Sequence, residues 1–425
     1  MTSLLDIDRK NIWHPFTPLA GGMDPLIITS ASGVYLHTND GRSILDAISS
    51  WWVNLHGHSH PYLAEAIAKQ AKKLEHVIFA GFTHEPALQL STNLLSILPS
   101  NQSRIFFSDN GSTAVEVGLK MALQYWHNQN TAKRKIIAIE GSYHGDTFGA
   151  MSVGDRGIFT EPFSKHLFEV EFIPFPDLHH GNEVIERFKK IVQTNLVAVF
   201  IFEPLVQGAA GMRIYLPGIL DELITIANQH DVLCIADEVF TGFGRTGKLF
   251  ASDYLKNKPD IMTLSKGLTG GMMPMGVTTC SDKVVAAFDT AEFSKTFFHG
   301  HSYTANPLAC AAANASFDLL MHNSCTAHIQ RITQQHENFL LRLEGHPMLH
   351  DSRALGTILA LEIKSKEGSS YASELRKKIY PYFLSRNILL RPLGNIMYIL
   401  PPYCITNDEL NIIYNTMEDF LQELE

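Results

Sequence analysis

Between about residues 104 and 280 of this 425-residue chain, short apolar, β-branched runs alternate with longer stretches of helical pattern. The runs are RIFF (104–107), KIIAI (135–139), LVAVFIF (196–202), VLCIA (232–236), DIMTL (260–264) and GVTTC (276–280). A continuous apolar run fits a strand covered on both faces, and the helical stretches between supply the crossovers. The pattern therefore calls for an α/β architecture: a mostly parallel sheet wrapped by helices. Sites in such sheets open off the carboxyl ends of the strands, so the residues that follow each run are the ones to inspect for chemistry.

The length exceeds the roughly 250–300 residues at which one core stops growing, so two domains are expected. Residues 56–314 read as the large domain, entered through a helix-like stretch from about 61 to 99. Past the Ala-rich LACAAANASFDLLM (308–321), a packed helix, the pattern changes. A polar helix to about 345, ALGTILALEI, a helix near 371–385, NILLRP, NIMYILPP and an amphipathic helix from about 407 make residues 315–425 a small α+β domain. Residues 1–55, with VYLHT, a turn at Asp40 and Gly41, and SILDAI, are expected to join that small domain.

Several function classes drop out on composition. Lys and Arg number 34 against 43 Asp and Glu, a net charge of −9 with no basic block, which is unsuited to neutralising phosphates along a nucleic acid. The longest apolar run, Leu196 to Phe202, has 7 residues, far short of the ~18 of a membrane span, and MTSLLDIDRKN lacks the basic and apolar regions of an export signal. Five dispersed cysteines with no CxxC pair fit a reducing cytoplasm rather than a disulfide framework. Charged residues are only 18% of the chain, against about 25% in ordinary soluble proteins, so some of the surface is expected to be covered by a partner.

Three stretches carry candidate chemistry. In SDNGSTAVEVGLKMALQYW, directly after RIFF, Gly111, Ser112 and Thr113 stand at a helix N-terminus, where free N–H groups and the helix dipole favour a phosphate; ordinary N-capping is the alternative. VLCIADEV sets Asp237 and Glu238 just past a buried strand, a costly place for unpartnered carboxylates. DIMTLSKG sets Lys266 at the same relative place after the next strand, where a desolvated amine becomes nucleophilic enough for a Schiff base. A carboxylate beside such a lysine suits the pyridinium nitrogen of pyridoxal phosphate. The segment from Gly242 to Lys248 satisfies G-x-x-x-x-G-K, but Leu249 replaces the Mg²⁺-binding Ser or Thr and the acidic strand comes first, against an ATPase. His56, His58 and His60 alternate without a supporting carboxylate or cysteine pattern, and no metal is expected.

GSYHGDT, EPLVQGAAGM, ADEVFTGFGRTGK, SKGLTGG and NPLACAAANA together resemble the fold-type-I, class III pyridoxal-phosphate aminotransferases, over nearly the whole chain. IWHPFTPL, SSWWVNLHGHSHP, MALQYW, MSVGDRG and RPLGNIMYILPPY narrow the resemblance to the branch that serves biotin synthesis. That branch implies S-adenosylmethionine as amino donor, 8-amino-7-oxononanoate as acceptor, and a homodimer with sites at the interface. The resemblance further implies that Lys266 links to pyridoxal 5'-phosphate and shuttles the proton, that Asp237 pairs with the ring nitrogen, and that Gly111 and Ser112 hold the phosphate. Tyr143 would stack on the ring and touch substrate, and His301 and Ser302 would reach the phosphate of the other subunit's cofactor. Phe16, Trp51, Gly300, Arg391 and Tyr398 would line the substrate pocket, Arg391 taking a carboxylate by a bidentate fork.

Other readings stay open for some of these residues. Adjacent Trp51 and Trp52 would face opposite ways in a strand, leaving one to the core. Tyr398 fits core or pocket, and Arg245 reads as an ion-pair residue of its glycine loop. The sequence also departs from the family at three places. Ala209 stands where ornithine- and GABA-type members carry a Glu that closes on the pocket Arg; Phe16 stands where the biotin branch carries Tyr; and HGHS replaces HGPT, which makes His301 new. Two rival functions remain, a class III transaminase for lysine, a diamine or an ω-amino acid, and a non-catalytic pyridoxal-phosphate-binding protein.

Overall fold

The computed structural model describes residues 3–177, 180–365 and 373–424. Seven strands form the central sheet: β1 (Gln102–Ser108), β2 (Lys135–Ile139), β3 (Glu171–Ile173), β4 (Val197–Phe202), β5 (Leu233–Asp237), β6 (Ile261–Leu264) and β7 (Gly276–Ser281), in the spatial order β1-β7-β6-β5-β4-β2-β3. Strands β3, β2, β4, β5 and β6 run parallel, and β7 is antiparallel to both β6 and β1. Six of the seven coincide with the apolar runs of the sequence. Strand β3 was not anticipated: it has three residues, begins with Glu171, and exists through its pairing with β2 at the sheet edge.

The continuous apolar character of these strands has a two-sided cause. Ile136, Ala138, Val199, Ile201, Leu233 and Ile235 face the helix Gly111–Asn128 through Val115, Leu119, Ala122 and Trp126. Ile137, Ile139, Phe200, Phe202, Cys234 and Ala236 face the opposite layer, where helices Gly181–Val192 and Pro217–Gln229 bring Val184, Phe188, Leu220 and Leu223. Each large apolar side chain buried this way contributes about 1.5–3 kcal/mol. The helix lies close on the sheet at Gly118, where a Cβ would already touch Ile261 and Thr263 at 3.4 Å.

Strands Ile28–Ser32, Tyr35–Thr38 and Ser43–Asp46 form a second sheet, and Ile388–Leu389, over 300 residues away, joins it parallel to Leu45 and Asp46. A third sheet is built from Leu349–Leu355, Ile358–Ile363 and Ile396–Ile399. Helix Asn407–Glu423 begins with a reciprocal cap between Thr406 and Glu409 and buries Leu410, Ile413, Met417, Phe420 and Leu421 at helical spacing. The stretch from 61 to 99 is two helices, Pro61–Lys73 and Glu85–Ile97. The first stops where Leu74 turns extended, and the second starts where the His84 ring accepts the N–H of Ala87. The helix expected near 371–385 spans Arg376–Ser385; residues 371 and 372 lie outside the described residues. No described helix is long and apolar enough to cross a membrane.

His336, on helix Asn323–Arg342, is fully buried between the Tyr414 hydroxyl, 2.7 Å from Nδ1, and the Thr357 carbonyl, 3.1 Å from Nε2. The network assigns a neutral ring, with Nε2–H donating to the carbonyl and Nδ1 accepting from the phenol. Burial pushes its pKa from 6.5 down to about 4. As pH falls below 6.5 the unfolded chain takes up a proton that the folded ring refuses until about pH 4, so stability drops across this window, by on the order of 3 kcal/mol from this group. His336→Gln is therefore expected to be less stable than the parent at pH 7 but to lose less unfolding free energy between pH 6.5 and 4. Urea titrations at several pH values check this, and an equally steep decline in both proteins would contradict it.

Candidate active site

The carboxyl ends of β1, β2, β4, β5 and β6 open onto one cavity of about 380 Å³. Gly111, Ser112, Tyr143, Asp237 and Lys266 all line it, and so do Trp52, His144 and Glu203, which the sequence reading did not single out.

At one end of the cavity, Asn110 caps helix Gly111–Asn128. Its side chain accepts the N–H of Thr113 at 2.9 Å, and the Thr113 hydroxyl accepts the N–H of Asn110 at 3.1 Å. The cap uses the N–H of Thr113 rather than those of Gly111 and Ser112, so the positive end of the dipole stays available to an anion. Side-chain bulk is excluded here. A Cβ on Gly111 would lie 2.7 Å from Val239, and one on Gly145, at φ +131, would lie 2.0 Å from the Ser112 hydroxyl oxygen.

Asp237 closes β5. Its Oδ1 accepts the Val239 N–H and the Thr263 hydroxyl, both at 3.1 Å, and its Oδ2 lies 2.6 Å from Nδ1 of the buried His144. The other nitrogen of His144 is buried without a hydrogen-bond partner among the described residues. Glu203 follows β4 directly, at the edge where Asp237 closes β5, and it accepts the N–H groups of Tyr143 (2.9 Å) and Gly208 (3.0 Å). Burial pushes its pKa up to about 7, with His144 and those N–H groups pulling the other way. Glu238 turns away from the cavity and accepts from Thr241, Ala251 and Ser252; burial likewise brings its carboxyl to about 7.

Lys266 lies two residues beyond β6 with φ 44. Its amine stands 4.8 Å from the Trp52 ring centre and 5.7 Å from that of Phe240. Desolvation pushes its pKa from 10.5 down to about 8, against the pull of the Asp237 and Glu203 carboxylates. At pH 7 about a tenth of such amines are neutral, where an exposed lysine would be almost wholly charged.

Neither tryptophan sits on a strand. They close the Ser49–Trp52 turn, where Ser49 (φ 53), Ser50 (φ 61) and Trp52 (φ 68) all occupy the left-handed region, at a cost of about 1–3 kcal/mol each. Trp52 is both buried and part of the cavity wall. Tyr398, which the resemblance puts in the pocket and whose apolar neighbours fit the core as well, is buried behind that wall, where its hydroxyl accepts the Trp52 indole N–H at 2.9 Å. Trp51 is 42% exposed and joins Phe16 edge-on at 5.6 Å, while the Arg391 guanidinium lies 5.1 Å from its ring. Phe16 also meets Phe159 at 5.9 Å. Ala209 lines the cavity without a carboxylate to offer Arg391.

The remaining candidates lie elsewhere. Gly300, His301 and Ser302 are not on this cavity's wall: the His301 N–H donates to Thr304, Ser302 is exposed, and the His301 Nε2 is buried without a hydrogen-bond partner among the described residues. Arg245 makes no ion pair among the described residues. Its fully buried guanidinium donates to the carbonyls of Trp52, Asn54 and Pro401. Lys248 bonds the Asp253 carbonyl. His56 meets the Ser316 hydroxyl and His58 the Asp46 carboxylate, so these rings serve separate partners.

Glu203 was within reach of the rule that found Asp237, an acid immediately after a buried strand. His144 and Trp52 carried no signal of their own beside Tyr143 and Trp51.

The family described as Aminotransferase class-III matches residues 19–421. The chain is 48% identical to an adenosylmethionine-8-amino-7-oxononanoate aminotransferase of Synechococcus elongatus, over 98% of this chain and 99% of that one. An enzyme of the same name from Geobacter sulfurreducens is 37% identical, over 98% and 96%. A crystal structure of the Methanocaldococcus jannaschii adenosylmethionine-8-amino-7-oxononanoate aminotransferase superposes with a TM-score of 0.93 at 34% identity, covering 99% of this chain and 98% of that one.

The depressed pKa of Lys266 gives a direct test. In cofactor-free protein, reductive alkylation by formaldehyde followed by peptide mapping is expected to modify Lys266 with a midpoint near pH 8, well below the surface lysines. A midpoint shared with the surface lysines would contradict the desolvation argument.

Proposed function

The chain belongs to the class-III aminotransferases, which depend on pyridoxal 5'-phosphate, and on that premise we propose that it transfers the amino group of S-adenosylmethionine to 8-amino-7-oxononanoate, giving 7,8-diaminononanoate for biotin synthesis. The observation that carries the substrate pair is the 48% identity, end to end, with a relative that bears this activity in its name. Transamination itself is supported by the buried Lys266 amine facing the same cavity as Asp237.

The residues fit the cofactor. A glycine cradle at a helix N-terminus suits its phosphate, a carboxylate with three fixed donors suits its ring nitrogen, and a desolvated amine suits its aldehyde. When bound, pyridoxal 5'-phosphate supplies an aldehyde that carries the amino group and a ring that draws electrons from the neighbouring carbon. The N–H groups of Gly111 and Ser112 hold the phosphate at the positive helix end. Asp237 keeps a proton at the ring nitrogen, and His144, Thr263 and the Val239 N–H keep the Asp237 carboxylate in place. Tyr143, anchored by its N–H to Glu203, would pack against the ring. With the cofactor bound, the Lys266 amine would take a proton from the substrate carbon and return it, as base and then acid; a pKa near 8 suits that double task. Trp52 walls the amine off from water. Trp51, Phe16 and Arg391 form the outer pocket, where the Arg391 fork takes a carboxylate.

A homodimer in the cytoplasm completes the reading. His301 and Ser302 are outside their own chain's cavity, which suits a role at the partner's phosphate. Their surroundings expose Phe293 (78%), Phe298 (60%) and Tyr303 (64%), apolar surface of the kind an obligate interface buries. Five free cysteines suit a reducing compartment.

Phe16 keeps a second reading alive, a class III transaminase that takes lysine, a diamine or an ω-amino acid, because the residue offers no hydroxyl at the pocket mouth. Adenosylmethionine is expected to bleach the visible band of the holoenzyme in a half-reaction while lysine leaves it unchanged; bleaching by lysine alone would move the assignment to the second reading. Phe16→Tyr is expected to lower KM for donor or acceptor by several-fold, about the worth of one hydrogen bond, and unchanged kinetics for both would show the hydroxyl to be immaterial here.

A further inference from the structure

The turn that carries both tryptophans is held by charges that no part of the proposed chemistry uses. Three of its four residues lie in the left-handed region, so local preference opposes the shape and something outside it must impose it. On the entry side stands Asp46, whose carboxylate has no solvent exposure. It accepts the N–H of Ile48 at 3.1 Å and of Ser50 at 2.6 Å, the Ser50 hydroxyl at 3.3 Å, and Nε2–H of His58 at 2.8 Å. His58 is itself fixed, its Nδ1 by the Asn54 amide at 3.2 Å and its backbone N–H by the Gly33 carbonyl at 2.7 Å. On the exit side stands Arg245, buried with no carboxylate paired to it among the described residues, donating to the carbonyls of Trp52 (3.3 Å), Asn54 (3.1 Å) and Pro401 (3.0 Å). A negative group gathers N–H donors where the turn begins, and a positive group gathers carbonyls where it ends. Ser49 adds a hydroxyl bond of 2.7 Å to the Leu400 carbonyl.

We propose that Asp46, His58 and Arg245 form a polar brace that positions substrate recognition: they impose the strained turn and so fix where Trp51 stands against Arg391. None of the three lines the cavity, so they act through the tryptophans and are positioning residues. The inference rests on the reading of Trp51 and Arg391 as substrate contacts.

The brace is tested on the holoenzyme with Asp46→Asn, His58→Ala and His58→Gln. Glutamine can still offer an N–H to Asp46, and alanine cannot. In Asp46→Asn and His58→Ala, KM for the substrate is expected to rise about tenfold or more while kcat stays within about threefold, the pattern of lost positioning rather than lost chemistry. Cofactor affinity by absorbance titration is expected to stay at the parent's value, and the near-ultraviolet circular dichroism of the tryptophans to change. His58→Gln is expected to recover most of the KM. KM within twofold of the parent in both disruptive variants would overturn the proposal, and so would a glutamine variant no better than alanine. If Asp46→Asn fails to fold, the two His58 variants decide. Kinetics are read on whichever donor the parent turns over, so failure of the adenosylmethionine reading leaves this outcome separately legible.

Discussion

The amine of Lys266 is held where water is scarce, and much of the surrounding architecture follows from that placement. Taking an ammonium out of water favours its neutral form, and the nearby carboxylates of Asp237 and Glu203 favour the charged one. The balance falls near pH 8 because burial dominates. Such a balance requires acids and base to arrive at one cavity from different strands. A parallel sheet delivers this directly: β4, β5 and β6 all end at the same edge, and Glu203, Asp237 and Lys266 are the residues at or just past those ends.

The carboxylates need their own support. Asp237 is nearly inaccessible, and its three donors come from three different segments: His144 from the loop after β2, Thr263 from β6 and the N–H of Val239 from its own loop. An acid so held stays an acceptor and keeps its geometry. Glu203 has only two backbone donors, which explains why burial lifts its carboxyl to about 7. Two acids at the mouth of one sheet are thus held differently, Asp237 by three donors and Glu203 by two backbone N–H groups.

Opposite charge is also used at a distance from the cavity. Arg245 sits in a segment that spells a phosphate loop, yet its guanidinium serves main-chain carbonyls of the tryptophan turn and of Pro401. Arg245 makes no ion pair among the described residues, and the carbonyl oxygens that are its partners leave no mark in a sequence. The sequence leaves Tyr398 between core and pocket for a related reason: its partner, the indole of Trp52, lies 346 positions away. The Trp51–Trp52 pair defeated period-two reasoning because the segment is a left-handed turn, which serine and tryptophan do not announce.

The sequence by itself determined the sheet and the residues at its edge. Buried strands must be apolar on both faces, so six strands could be read within a residue or two, and a polar residue immediately after such a run stands out. Asp237, Lys266 and the Gly111–Ser112 helix start were therefore legible, and a family resemblance supplied their chemical roles. Only the tertiary structure decided what those groups touch. His144 is distinguished by its 2.6 Å approach to Asp237, Trp52 by its place over the Lys266 amine, and Asp46, His58 and Arg245 by a turn that none of them belongs to. Such contacts join residues from a few to nearly two hundred positions apart, and hydrogen-bond geometry and desolvation depend on three-dimensional proximity, which local pattern does not encode.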